Sequence, residues 1–229
     1  MAIQQPIIMD IPMTDLQSLI RLQTWLSPAF PTGAFSYSSG LEAAIGNGFV
    51  STREELTQWL ADVMQNGAGW NDAVILAEAW RVASTGGDFT DIANLSEAMN
   101  FSATRHLETM AQGSAFLLAS KAWCDVALPS DCSLPVAVGA VAGSLRIDVE
   151  QTLAAYLHAY LSNQIQAALR LMKLGQQGGV EVLAELESVV LDTAKRSALS
   201  TLEDIGSSTV MADIAAMQHE TLCSRIFRS

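Results

Sequence analysis

Three histidines, three cysteines and nine methionines are the side chains of this sequence best suited to metal binding or acid–base work. His106, His158 and His219 are isolated, with no HExxH or similar pairing, and Cys124, Cys132 and Cys223 form no CxxC. Nickel or copper would accept such ligands if the fold gathered them. The plainer reading is methionine as core filler and cysteine as a small apolar residue. No GxxxxGK[ST] string exists to cradle a phosphate. Ser36 or Ser38 as a nucleophile would need a positioned histidine and acid, which the spacing does not offer. The expectation is a chain with no catalytic residues and no cofactor, and spacing gives no support to a metal site, which only the fold could assemble.

Two charged arrangements remain. Arg105 and Glu108, three apart, have the spacing of a surface helix pair worth a few tenths of a kcal/mol. Lys173 follows a long apolar helical pattern, where a cation favours the negative end of the helix dipole. The closing residues, from His219 through Glu220 to Arg225, Phe227, Arg228 and Ser229, keep Leu222, Ile226 and Phe227 among two arginines. A segment this apolar either folds back on the core or docks on another protein.

The elements that must hold these groups are set by one irregular stretch, Ser27-Pro-Ala-Phe-Pro-Thr-Gly-Ala-Phe-Ser-Tyr-Ser-Ser-Gly-Leu-Glu42. Its sixteen residues hold two prolines, two glycines, four serines and three aromatics. Pro28 and Pro31 bias the residues before them out of the α region, so the preceding helix should stop near Leu26. Gly33 gives the backbone freedom that Ala34 and Phe35 lack. Ser39-Gly40-Leu-Glu42 has capping-box spacing and should open the next helix. The stretch reads as a rigid corner with buried aromatics and an outward-facing Glu42, presenting Pro28, Pro31, Phe35, Ser36, Tyr37 and Gly40.

The rest is helical in pattern. Residues 1–13 carry two prolines and no periodicity and are expected to be a flexible arm. Thr14 is a capping candidate for a helix with Leu16, Leu19, Ile20, Gln23 and Leu26 on one face. Thr52-Arg-Glu-Glu55 should cap a helix burying Leu56, Trp59, Leu60 and Val63, and Asp72 should start another that ends at Gly86. Thr90 to Val126 predicts a long helix, kinked or divided near Gly113. Val136 to Gly143 is hydrophobic nearly all round, as a buried central helix is, and Gly139 and Gly143 would let a neighbour approach closely. Asp148 caps a helix to about Leu174, Gly178 and Gly179 complete a turn, and a long helix runs to about Leu199. A last short helix lies near Val210 to Leu222. No alternating pattern survives, so the chain is expected to be all-α, a single-domain bundle of about eight to ten helices. Residues 14–205 form its core and 206–229 a C-terminal helix and tail for partner docking.

At 229 residues and half hydrophobic, the chain has ample material for a core. A net charge of −12 without any Lys/Arg cluster argues against a nucleic-acid binder. The most apolar run, Leu134 to Leu145, falls short of the ~20 residues that cross a bilayer. An odd cysteine count and no signal-peptide pattern suggest a reduced, cytoplasmic setting.

The corner from Ser27 to Glu42 resembles the N-terminal signature of the urease accessory protein UreF family, and Met217 to Ser229 resembles that family's closing SR-[LI]-FRS motif. Tyr156 to Leu161 and Ala168 to Gln176 are similar to its penultimate helix and Leu-Gly-Gln stop. The resemblance implies an all-α protein without enzymatic activity. It implies a scaffold for UreD (UreH in some organisms) and the GTPase UreG that regulates GTP-dependent nickel delivery to the urease apoprotein. It also implies a homodimer and a tail that helps dock UreD. Glu42 and Lys173 match family positions tied to control of the GTPase, the corner from Pro28 to Gly40 a surface-forming motif, and Arg225, Phe227 and Arg228 the tail. The alternatives are a metal-binding helical protein using clustered His, Cys and Met, and a helical adaptor for an unrelated partner.

Overall fold

The structure, a computed structural model, describes residues 15–129 and 131–229. The expected arm at 1–13 and the Thr14 cap lie outside the described residues. Everything described is helix, turn or irregular chain, and the all-α expectation holds. In chain order the helices are α1 (Asp15–Trp25), α2 (Leu41–Gly46), α3 (Arg53–Asn66), α4 (Ala68–Thr85), α5 (Thr90–Ala98) and α6 (Ala103–Ser120). They continue as α7 (Leu134–Ser144), α8 (Val149–Leu171), α9 (Gly175–Glu185), α10 (Glu187–Leu199) and α11 (Val210–His219), with short 3₁₀ turns at Ala34–Ser36 and Leu202–Asp204.

The centre is α7 against α4. Every residue of α7 from Pro135 to Gly143 is buried. A Cβ at Gly139 would collide with the carbonyl oxygen of Leu76, and one at Gly143 would stand 2.5 Å from that of Trp80. These two glycines therefore set how close the central helices come, as their spacing predicted. Around this pair, α8 buries Leu153, Tyr156, Leu157 and Leu161, and α3 buries Leu56, Leu60 and Val63. Thr52 and Glu55 form the reciprocal capping box at the start of α3, and Asp148 takes the Gln151 N–H at the start of α8.

Several boundaries differ from the pattern. α4 begins at Ala68, one turn before Asp72, because Gly67 already breaks the preceding helix. The Thr90–Val126 pattern divides at Met99–Ser102, where the Ser102 side chain accepts the Arg105 N–H and caps α6. Gly113 is not the break; it lies inside α6, where the Cys132 carbonyl crosses it too closely for any Cβ. Gly178 and Gly179 lie within α9, and the final long helix is split at Leu186 into α9 and α10. The face chosen for α1 is also wrong. Leu16, Leu19 and Ile20 are 70, 49 and 62 % exposed, while Ser18, Leu22 and Trp25 are buried. Trp25 sets the rotation: its ring packs edge-on against Phe116 and Trp123, at centroid distances of 6.2 and 6.0 Å. One buried indole outweighs three leucine-sized side chains that lie nearly half a turn away.

Candidate functional site

The corner that follows α1 and the C-terminal tail meet. α1 ends at Trp25, and the Ser27 hydroxyl takes the Ala29 N–H, turning the backbone into the corner. Gly33 and Gly40 both adopt left-handed φ, 73° and 84°. Gly33 has open space around it, whereas a Cβ at Gly40 would stand 2.8 Å from the Ala216 backbone of α11. Gly33 is thus required by conformation and Gly40 by both conformation and space. Phe30 and Tyr37 are buried, as expected of the corner's aromatics, but Phe35 is 70 % exposed. Pro28 and Pro31 are exposed and Ser36 is half-buried.

The expected capping box is replaced by a different arrangement. Ser39 itself has a positive φ of 50°, and the Glu42 N–H goes to the Ser38 hydroxyl at 3.3 Å. Glu42 does not face outward. Its Oε1 accepts the Ile226 N–H at 2.7 Å, and its Oε2 accepts the Phe227 N–H at 2.9 Å and meets His219 Nε2 at 3.2 Å. Burial alone would raise its pKa; the two backbone N–H groups of Ile226 and Phe227, with His219, outweigh it and hold the carboxyl below its ordinary value. The local pattern Ser-x-x-Glu was real, but a pair of distant backbone amides competed for the carboxylate and won.

The tail lies along the corner. Arg228 N–H donates to the Ser36 carbonyl at 2.8 Å, and Ser38 N–H donates to the Ser229 carbonyl at 2.9 Å. The Ser38 hydroxyl also donates to that carbonyl. Phe227 is buried beneath the Arg170 guanidinium, 4.4 Å from its ring centroid. Of the two possibilities for the tail, the chain takes the first and folds it back on the core. Among the sequence-derived site residues, His219, Phe227 and Ser229 face inward, while Phe35, Arg225 and Arg228 face out. Glu220 is exposed, and its carboxylate takes the Ala103 N–H at 2.7 Å, at the start of α6. Lys173 is exposed, two residues beyond the end of α8. It stands apart from the hydrogen bonds that unite the corner and the tail.

Beneath this cradle lies a buried polar cluster. Arg105 joins Asp72 at 2.6 Å and Glu108 at 3.1 Å, and the Tyr156 hydroxyl donates to Asp72 at 2.9 Å. Glu108 in turn accepts from the Ser39 hydroxyl at 2.9 Å and from the Ser229 hydroxyl at 2.6 Å. Gln164 of α8 donates to Ser39 at 3.1 Å. The Arg105–Glu108 pair is therefore no surface pair; both side chains are nearly inaccessible, 13 and 6 % exposed. Desolvation opposes the Arg105 charge, and the adjacent Asp72 and Glu108 carboxylates more than restore it. Burial raises the Tyr156 and Tyr160 hydroxyls, which stay protonated. Spacing flagged Arg105 and Glu108 but not their burial, and it did not join Asp72, Tyr156 or Gln164 to them; nothing local marks helix residues 33 to 84 positions apart as partners.

No group of three or more His, Cys, Asp or Glu among the described residues is placed to hold a metal ion. The cysteines are free, and burial pushes the Cys132 thiol up to about 12, which makes it inert. No helix of the described residues is long and apolar enough to cross a membrane.

Comparison with known proteins agrees with these motifs. The UreF family model matches residues 50–187. The chain is 52 % identical over 215 residues to the urease accessory protein UreF of Brucella ovis, covering 93 % of this chain and 94 % of that one. It is 49 % identical over 218 residues to the urease accessory protein UreF of Rhizobium etli, covering 94 and 98 %. Both names describe an assisting protein rather than a catalyst. With the family model matching more than half of the chain and relatives about half identical over more than nine-tenths of it, the chain belongs to the UreF family.

Proposed function

We propose that this protein is a non-catalytic urease maturation factor that scaffolds a cytoplasmic complex of UreD (UreH) and the GTPase UreG, and that it regulates GTP-dependent nickel delivery to the urease apoprotein. The observation that carries the reading is the union of the two family motifs, corner and tail, into one cradle held by Glu42 and Glu108. Its outer rim is Phe35, Ile226, Arg225 and Arg228, an aromatic and basic spot on a chain of net charge −12. Such a rim suits a partner with an apolar and acidic face. Lys173 is exposed three residues beyond Arg170, which covers Phe227, and is proposed as part of the contact that controls UreG.

The same reading includes a homodimer. Copies that each carry −12 repel, and a contact face poor in charge adds least to that repulsion. Residues 151–169 of α8 contain no Asp, Glu, Lys or Arg, and several of them line a groove with Leu16 and Leu19 of α1, whose one carboxylate is Asp15 at its end. The test is reconstitution: purified chain, UreD and UreG are mixed and sized by gel filtration with light scattering. A single species holding all three is expected. Separate elution of the three proteins overturns the scaffold.

A further inference from the structure

We propose that Glu42 is a positioning residue for the C-terminal tail, acting on partner recognition through the tail it holds and not by touching the partner. Both of its oxygens are engaged, by Ile226 N–H at 2.7 Å and Phe227 N–H at 2.9 Å, with His219 Nε2 at 3.2 Å from the second. Its side chain is 10 % exposed and that of His219 is fully buried. A carboxylate so enclosed presents almost nothing to a second protein. What it controls is the chain it binds. Successive backbone N–H groups aimed at one carboxylate fix both the register and the direction of the segment that carries them. Phe227 can then enter its site under Arg170, and Ser229 can reach Ser38 and Glu108. Ile226 is thereby held with its side chain 57 % exposed, and Arg228 is set at Ser36, next in sequence to Phe35, which is 70 % exposed. Without the carboxylate the two N–H groups lose their acceptor and the rim loses its fixed half.

This inference rests on the reading of corner and tail as a docking surface, so its test has one arm that needs no partner. Trypsin cleaves after Arg225, and the scissile amide is the Ile226 N–H that Glu42 holds. Cleavage there, followed by mass spectrometry of the intact chain, is expected to be roughly tenfold faster in Glu42→Ala than in wild type, because local opening exposes the bond. Glu42→Gln, whose amide oxygen still accepts one N–H, should fall between them. Equal rates in all three overturn the latch. The second arm compares UreD co-elution for wild type, Glu42→Ala, a chain lacking residues 226–229, and the combination. The combination should bind no worse than the truncation alone. A further loss in the combined variant would place Glu42 in direct contact with the partner and overturn the proposal. If wild type itself binds no UreD, the scaffold reading fails, and the trypsin rates alone decide the latch.

Discussion

Arg105 is the residue on which the cradle's floor depends. It stands between Asp72 and Glu108, so removing it leaves two buried carboxylates facing each other without a cation. Breaking a buried ion pair from one side costs about 3–5 kcal/mol. Arg105→Ala is therefore expected to lower the urea midpoint by that equivalent, and Asp72→Asn by clearly less, since asparagine still accepts from Tyr156 and Arg105. A loss below about 1 kcal/mol for Arg105→Ala would mean that water reaches the cluster. Glu42 gives a second prediction, in pH. Its folded pKa is held below the ordinary value. A lowered carboxylate contributes stability above its unfolded pKa, about 4.3, and loses it as pH falls through the folded value. The difference in Tm between wild type and Glu42→Gln should be constant above about pH 5 and shrink toward pH 3. A difference that persists unchanged to the lowest pH would show that the carboxylate charge is not what holds the tail.

Glycines separate two causes of intolerance among the elements. A Cβ at Gly139 runs into the Leu76 carbonyl of α4, so Gly139→Ala must push apart the two helices that form the core. The expected cost is about 1–3 kcal/mol, an overpacking penalty. At Gly33 nothing lies within 4 Å, and only the φ of 73° resists a side chain. Gly33→Val should cost about 1–2 kcal/mol through backbone strain and disturb the corner with its partner binding, while the far side of the bundle keeps its amide protection. If Gly33→Val leaves UreD co-elution unaltered, the corner's conformation is not part of recognition. The contrast also shows what the sequence made legible. Turn signals, caps at Thr52 and Asp148, and the Gly139–Gly143 spacing act over one or two turns, and each was readable. The rotation of α1 was not, because Trp25 answers to Phe116 and Trp123, about a hundred residues away. Glu42 was readable as important and misread in direction for the same reason: its partners arrive from the other end of the chain. Asp72 looked like a helix start because aspartate favours that position; buried beside Arg105 it serves the cluster instead.

At the scale of the whole molecule, charge and exposed apolar surface pull in one direction. A chain of −12 disperses its like charges over its surface, yet α8 runs uncharged from 151 to 169 and α1 beside it leaves Leu16, Leu19 and Ile20 exposed. A two-fold contact uses the same patch on both copies, so the patch must complement itself. Here projecting leucines on α1 adjoin a shallow alanine surface on α8, Ala154, Ala155 and Ala159, and each copy offers both a projection and a recess. Leu19 is the best probe because it lines the groove and is half exposed, so its replacement costs the monomer little. Leu19→Glu would put a charge from each copy into the shared face. The wild type is expected to elute at the mass of two chains by light scattering and the variant at one, with identical helical circular dichroism. The salt response gives an independent check: raising ionic strength screens the repulsion between two acidic copies and should tighten the wild-type dimer. A variant that stays dimeric would move the contact to another face, and a wild type that is monomeric at every salt concentration would remove the homodimer from the proposed assembly.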